Sequence, residues 1–158
     1  YARDKDACVA VMMLCEAASW HKKQGMTLWD AMLALYEKYG FYREGLETKT
    51  LKGVDGAAQI ARLMADARSN PPRELGGCKV LAVRDYKEDT RRDMETGEVT
   101  KTGLPSSNVL YYELSDNAWC CMRPSGTEPK IKYYFGVCGS SLADADKRLA
   151  ALKEDLLK

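Results

Sequence analysis

The string Arg123-Pro124-Ser125-Gly126-Thr127-Glu128-Pro129-Lys130 sets a guanidinium, two hydroxyls and a glycine between two prolines. That combination suits the capture of a small anion. Pro124 pushes Arg123 toward extended geometry, so the guanidinium projects from a strand end. Gly126 permits positive φ and lets a ligand approach the main chain closely. Ser125 and Thr127 offer hydroxyls, and neighbouring backbone N–H groups can curl into an anion-binding nest. The prolines restrict the free loop and so lower the ordering cost of binding. Glu128 is awkward beside an anion; it reads either as a partner for Lys130 or as a solvent-facing group. On composition alone the string fits a proline-bracketed β-turn with an exposed arginine equally well.

The loop needs strands on both sides, and the pattern supplies them. Ala118–Met122 precedes it and Ile131–Cys138 follows, with Ile131, Tyr133, Phe135 and Val137 on one face and Lys130, Lys132 and Tyr134 on the other. Lys79–Tyr86 and Val109–Leu114 are further strand candidates, and Glu95-Thr96-Gly97-Glu98 reads as a turn between short strands within the polar stretch 87–107. Adjacent Cys120 and Cys121 would point to opposite faces. Asp55 opens a helix with Ile60, Leu63, Met64 and Ala67 on one face, which Ser69-Asn70-Pro71-Pro72 closes. A last helix starts at Ser141 with an S-x-x-D signature and carries Leu142, Ala145, Leu149, Leu152 and Leu156 as its stripe. This order of elements predicts an α+β layer fold with an antiparallel sheet and two packing helices.

Residues 1–44 have a different character. Asp6 can cap a helix from Ala7 to about Gln24, which Gly25 stops. Thr27 and Asp30 form a capping signature, followed by Leu28, Met32, Leu35 and Tyr39, with Gly40 as terminator. The two make a helical hairpin. Its first helix is apolar on nearly every side and so belongs inside something larger. The sequence opens on Tyr1 directly before it, which reads as a fragment. A strand is expected over Leu46–Leu51, and the boundary is placed near Arg43–Gly45.

Composition narrows the partners. Lys and Arg number 24 against 23 acidic residues, so the net charge of +1 supplies no field for nucleic acid or an anionic membrane. The longest apolar run, Ala7–Leu14, is far too short to span a bilayer. Six cysteines without C-x-x-C spacing and a single histidine argue against a zinc or redox motif, and free thiols fit a cytoplasmic setting.

The string from Arg123 to Lys132 resembles the phosphate-binding loop of the α-D-phosphohexomutases, the phosphoglucomutase and phosphomannomutase superfamily. Arg3-Asp4-Lys5-Asp6-Ala7 is similar to that family's R-x-K-D-G/A segment, and Leu51-Lys52-Gly53 through Ala67 to the start of its fourth domain in the bacterial phosphoglucomutase and phosphopentomutase branch. The resemblance implies that 1–44 are the last helices of a third α/β domain. Residues 45–158 would then be a fourth, C-terminal domain of TATA-box-binding-protein-like fold. It further implies an isomerase parent in which a phosphoserine exchanges phosphoryl groups with a sugar monophosphate (hexose or pentose), with Mg2+ and a glucose 1,6-bisphosphate-type activator. The fourth domain would grip the phosphate that is not transferred, through Arg123, Ser125, Gly126, Thr127, Lys130 and Lys132. Relatives usually carry Arg where Lys132 stands. Lys5 would match a lysine beside the reacting phosphoryl group. The phosphoserine run, the D-x-D-x-D metal run and the sugar loop are not in this sequence. The expectation is therefore a chain inactive alone, partnered by the missing N-terminal domains. The competing expectation is a stand-alone phosphate- or nucleic-acid-binding α+β module.

Overall fold

The computed structural model describes residues 4–51 and 55–158, and the chain forms two compact units, 1–41 and 42–158. Arg3, Lys52 and Gly53, which contribute to the resemblance, lie outside the described residues.

The first unit is a pair of helices. In α1 (Ala7–Lys22) the Asp6 carboxylate accepts the Val9 N–H at 3.0 Å, and Gly25 leaves the helix with φ +74°. In α2 (Leu28–Tyr39) the capping box is complete: Thr27 Oγ1 accepts the Asp30 N–H at 3.1 Å, and the Asp30 carboxylate accepts the Thr27 N–H at 2.8 Å. Gly40, at φ +111°, ends it. Neither helix buries a residue; Val11, Met12, Met13, Leu14, Trp20, Trp29 and Tyr39 are all exposed.

The second unit is α+β. Its strands are β1 (Phe41–Thr50), β2 (Glu74–Leu75), β3 (Cys78–Asp85), β4 (Thr90–Asp93), β5 (Val99–Thr100), β6 (Leu110–Leu114), β7 (Trp119–Pro124) and β8 (Lys130–Gly139). The main path runs β1-β8-β7-β6-β3-β4-β5, and β2 pairs with β3. The pairs from β2/β3 through β7/β8 are antiparallel, with a bulge in β3 between Val80 and Ala82. The stretch 87–107 thus extends the sheet through β4 and β5, with Gly97 at φ +74° in the turn between them.

Helices α3 (Gly56–Ser69) and α4 (Leu142–Leu157) pack against β8. The buried face of the sheet is the one the alternation predicts: Ile131, Tyr133, Phe135 and Val137 are no more than 2% exposed, and Tyr112, Cys120 and Met122 join them. The helices contribute Ile60 and Met64, and Ala145 and Leu152. Cys121 lies on the opposite, less buried face from Cys120, and burial pushes both thiols up.

Two local expectations change. The strand expected over Leu46–Leu51 spans Phe41–Thr50, so Arg43–Gly45 lie inside β1. Beyond Phe41 its half-buried side is polar: Arg43 binds Asp146 at 2.8 Å and Glu47 binds Lys153 at 2.8 Å, both on α4. Between them Gly45 lets α4 approach, since a Cβ there would stand 2.6 Å from Lys153 Cε. At α3, Asp55 takes the N-cap position with no side-chain hydrogen bond to the helix.

Candidate phosphate-binding site

The loop closes an antiparallel hairpin. Arg123 and Lys132 are Cα partners across β7 and β8, and the Ser125 N–H donates to the Lys130 carbonyl at 2.8 Å. Cross-strand partners share a face, so the Arg123 and Lys132 side chains rise on the side of the sheet opposite the helices. Both are exposed. Neither has an ion-pair partner among the described residues. Together with Pro124, Ser125 and Gly126 they line a shallow cavity of about 150 Å³.

The other expected contacts stand apart from that cavity. Thr127 is exposed; its N–H reaches Ser125 Oγ at 3.4 Å, a long contact that pins the turn only weakly. Lys130 places its ammonium on Glu128, with Nζ 3.0 and 3.1 Å from the two carboxylate oxygens. The structure bears out both readings of Glu128 at once: it is the partner of Lys130 and it faces solvent. Gly126, which does line the cavity, has no atom within 4 Å of where a Cβ would be and does not use the positive φ open to glycine.

Lys5 belongs to the first unit. It precedes the α1 cap in a left-handed conformation, φ +57°, with its ammonium 2.6 Å from the Asp4 carboxylate and its side chain 87% exposed.

Chemically, the cavity offers two uncompensated cations, a hydroxyl and open backbone. A planar fork and a point charge that converge from neighbouring strands can hold a small multi-oxygen anion from two sides. Sequence reasoning did not find the part-buried ion pair elsewhere in the unit, Arg68 Nε to Asp85 Oδ2 at 2.8 Å, beside a second cavity of about 380 Å³. Seventeen residues separate the pair, and no local pattern links a helix end to a strand end.

Over 152 residues the chain is 36% identical to a phosphoglucomutase of Staphylococcus aureus strain bovine RF122 / ET3-1 and 35% identical to those of strains MRSA252 and MSSA476. Each match takes in 96% of this chain and 27% of the relative. The chain thus spans about a quarter of the length of the curated relatives it matches, which is consistent with a C-terminal fragment of such an enzyme. No family model matches. Identity at this level along almost its whole length shows that the chain belongs to the α-D-phosphohexomutase superfamily.

Proposed function

We propose that this chain is the segment of a phosphosugar mutase that holds the phosphate not being transferred, while a phosphoserine elsewhere in the parent exchanges the phosphoryl group. The observation that carries the reading is the pairing of Arg123 with Lys132, two cations without a carboxylate partner on one face of a hairpin, beside Ser125 and Gly126. Arg123 supplies a bidentate fork, Lys132 a second positive charge, and Ser125 a neutral hydroxyl beside the anion. Binding energy gathered at this remote phosphate positions the reacting end of the sugar. The matched relatives are phosphoglucomutases, which favours glucose phosphates as the substrate and an isomerase as the parent.

The helix pair α1 and α2 supports the same reading. Its exposed Met, Leu and Trp residues would be covered by the rest of a third domain in the parent. Lys5 enters on resemblance alone, as an electrostatic or proton-transfer aid near the reacting phosphoryl group. Magnesium, which the resemblance implies for the parent, finds no cluster of His, Cys, Asp or Glu suited to it among the described residues, and no step here runs through it. The phosphoserine and metal runs are not in this sequence, so the chain alone turns over no sugar phosphate.

The test is Arg123→Ala in the full-length enzyme. Each charge-assisted bond lost is worth roughly 1.5–3 kcal/mol, so kcat/KM should fall by about tenfold to a hundredfold or more. The thermal melt should hold, because an exposed loop side chain supports little packing. A variant within about twofold of wild type at an unchanged melt would overturn the assignment.

A further inference from the structure

Three cations at the hairpin end share one sheet face: Arg123 faces Lys132 across the strands, and Lys130 lies two residues from Lys132 along β8, its carbonyl accepting the Ser125 N–H. Three cations therefore stand over the loop, yet the cavity between the strands is lined by only two of them, Arg123 and Lys132. The third is held by the loop's own carboxylate: both Glu128 oxygens accept from Lys130 Nζ, at 3.0 and 3.1 Å. The pair is half-exposed, 35% for Lys130 and 55% for Glu128, so solvent keeps it weak and exchangeable.

We propose that Glu128 is a latch that keeps Lys130 out of the anion site and so limits the charge offered to the ligand. The proposal rests on the phosphate-binding reading above and adds a residue that opposes binding. An entering phosphate ester either leaves Lys130 on Glu128 and accepts the carboxylate's repulsion, or draws Lys130 away and breaks the pair. Both routes lower affinity. A site built from Arg123, Lys130 and Lys132 without that carboxylate would hold a dianion longer, whereas a site whose ligand must depart after each reaction gains from a restrained grip.

The latch differs from simple surface electrostatics in one measurable respect. Independent charges act additively on the ligand, but a latch makes the value of Lys130 depend on Glu128. The experiment is an NMR titration of the chain with glucose 1-phosphate, for wild type, E128Q, K130M, the E128Q/K130M double variant, and R123A. Removing one carboxylate at this range in a solvated loop should tighten binding in E128Q by roughly threefold to tenfold. K130M should change affinity by less than about twofold in the wild-type background, yet remove most of the gain in the E128Q background. Unchanged or weaker binding in E128Q overturns the latch, as does a K130M effect of equal size in both backgrounds. R123A separates the two levels. If R123A abolishes binding while the coupling is missing, the latch alone fails; if binding is absent, or survives R123A, the site fails and the latch with it.

Discussion

The indole of Trp119 lies directly over Gly136, its partner across β7 and β8. A Cβ added at Gly136 would run into Nε1 and Cε2 of the ring, and would stand 2.8 Å from Cζ2. Tyr111 stacks beside the indole at 5.5 Å between centroids and 12° between planes, and the Arg84 guanidinium stands 5.4 Å from the Tyr111 centroid. These contacts tie four strands together on the face that carries Arg123 and Lys132.

Gly136→Ala should therefore cost about 1–3 kcal/mol through overpacking. Gly136 has an ordinary negative-φ backbone, so the cost comes from the ring and not from strain. Trp119→Ala in the same chain should relieve part of it, making the double variant less destabilised than the sum of the singles. Urea denaturation of the four proteins measures this; additive losses would show that the indole is not what excludes the Cβ.

The Glu113 carboxylate accepts from Arg91 Nε at 2.9 Å and Nη2 at 2.7 Å, and from Arg84 Nε. The Arg91 hydrogen bonds, with Arg84 helping against the cost of burial, hold its carboxyl below the ordinary value of 4.5. The unfolded chain then takes up this proton at a higher pH than the folded one, so stability rises with pH across the window below 4.5. The contribution is fully present above that value and is lost as pH falls through the folded pKa. Glu113→Gln should flatten this limb of the stability profile and lower stability at neutral pH. Parallel acid limbs for wild type and variant would contradict it.

Hydrophobic alternation made the strands around the loop legible, because every second residue of β8 enters the core. Short-range side-chain signatures were equally readable: Asp6, Thr27 and Ser141 each accept the N–H that the pattern assigns them. What escaped was structure held by charge. Beyond Phe41 the half-buried side of β1 is Arg43, Gly45 and Glu47, and the partners Asp146 and Lys153 lie about a hundred residues away, so no apolar period marked this stretch of the strand. The same limit applies at the candidate site. The loop string drew attention to Arg123, Ser125 and Gly126, whereas the division of cations into one held by Glu128 and two left over the cavity depends on side-chain directions that composition does not encode.

Asp85 is 9% exposed, with Oδ2 on Arg68 Nε and Oδ1 accepting the Lys87 N–H at 3.0 Å. Arg68 also reaches the Asn108 side chain. Asp85→Ala strands a largely buried guanidinium and should cost about 3–5 kcal/mol, whereas Arg68→Met with Asp85→Leu should cost much less, since no charge is left unpaired. Chemical denaturation of the single and double variants decides. A double variant as unstable as Asp85→Ala would assign the loss to packing around the cavity instead of to the orphaned charge.

Lys132 tests the division of labour inside the site. It faces Arg123 across the hairpin and, like Arg123, has no ion-pair partner among the described residues. As a point charge on a flexible stem, Lys132 adds attraction without the fixed geometry of a guanidinium. Lys132→Ala should therefore weaken glucose 1-phosphate binding by roughly threefold to tenfold, less than Arg123→Ala, because one solvated charge at short range is worth about 1 kcal/mol. The loss should shrink as salt is raised, since the Debye length contracts from about 10 Å at 0.1 M to about 3 Å at 1 M. The Arg123 contribution should survive salt better, because much of it comes from directed hydrogen bonds. Lys132→Arg, restoring the charge as a planar fork, should bind at least as tightly as wild type. Titrations of the three variants and wild type at low and high ionic strength give the answer. If Lys132→Ala matches wild type at low salt, the second cation takes no part in holding the anion, and Arg123 with the loop backbone would have to do so alone.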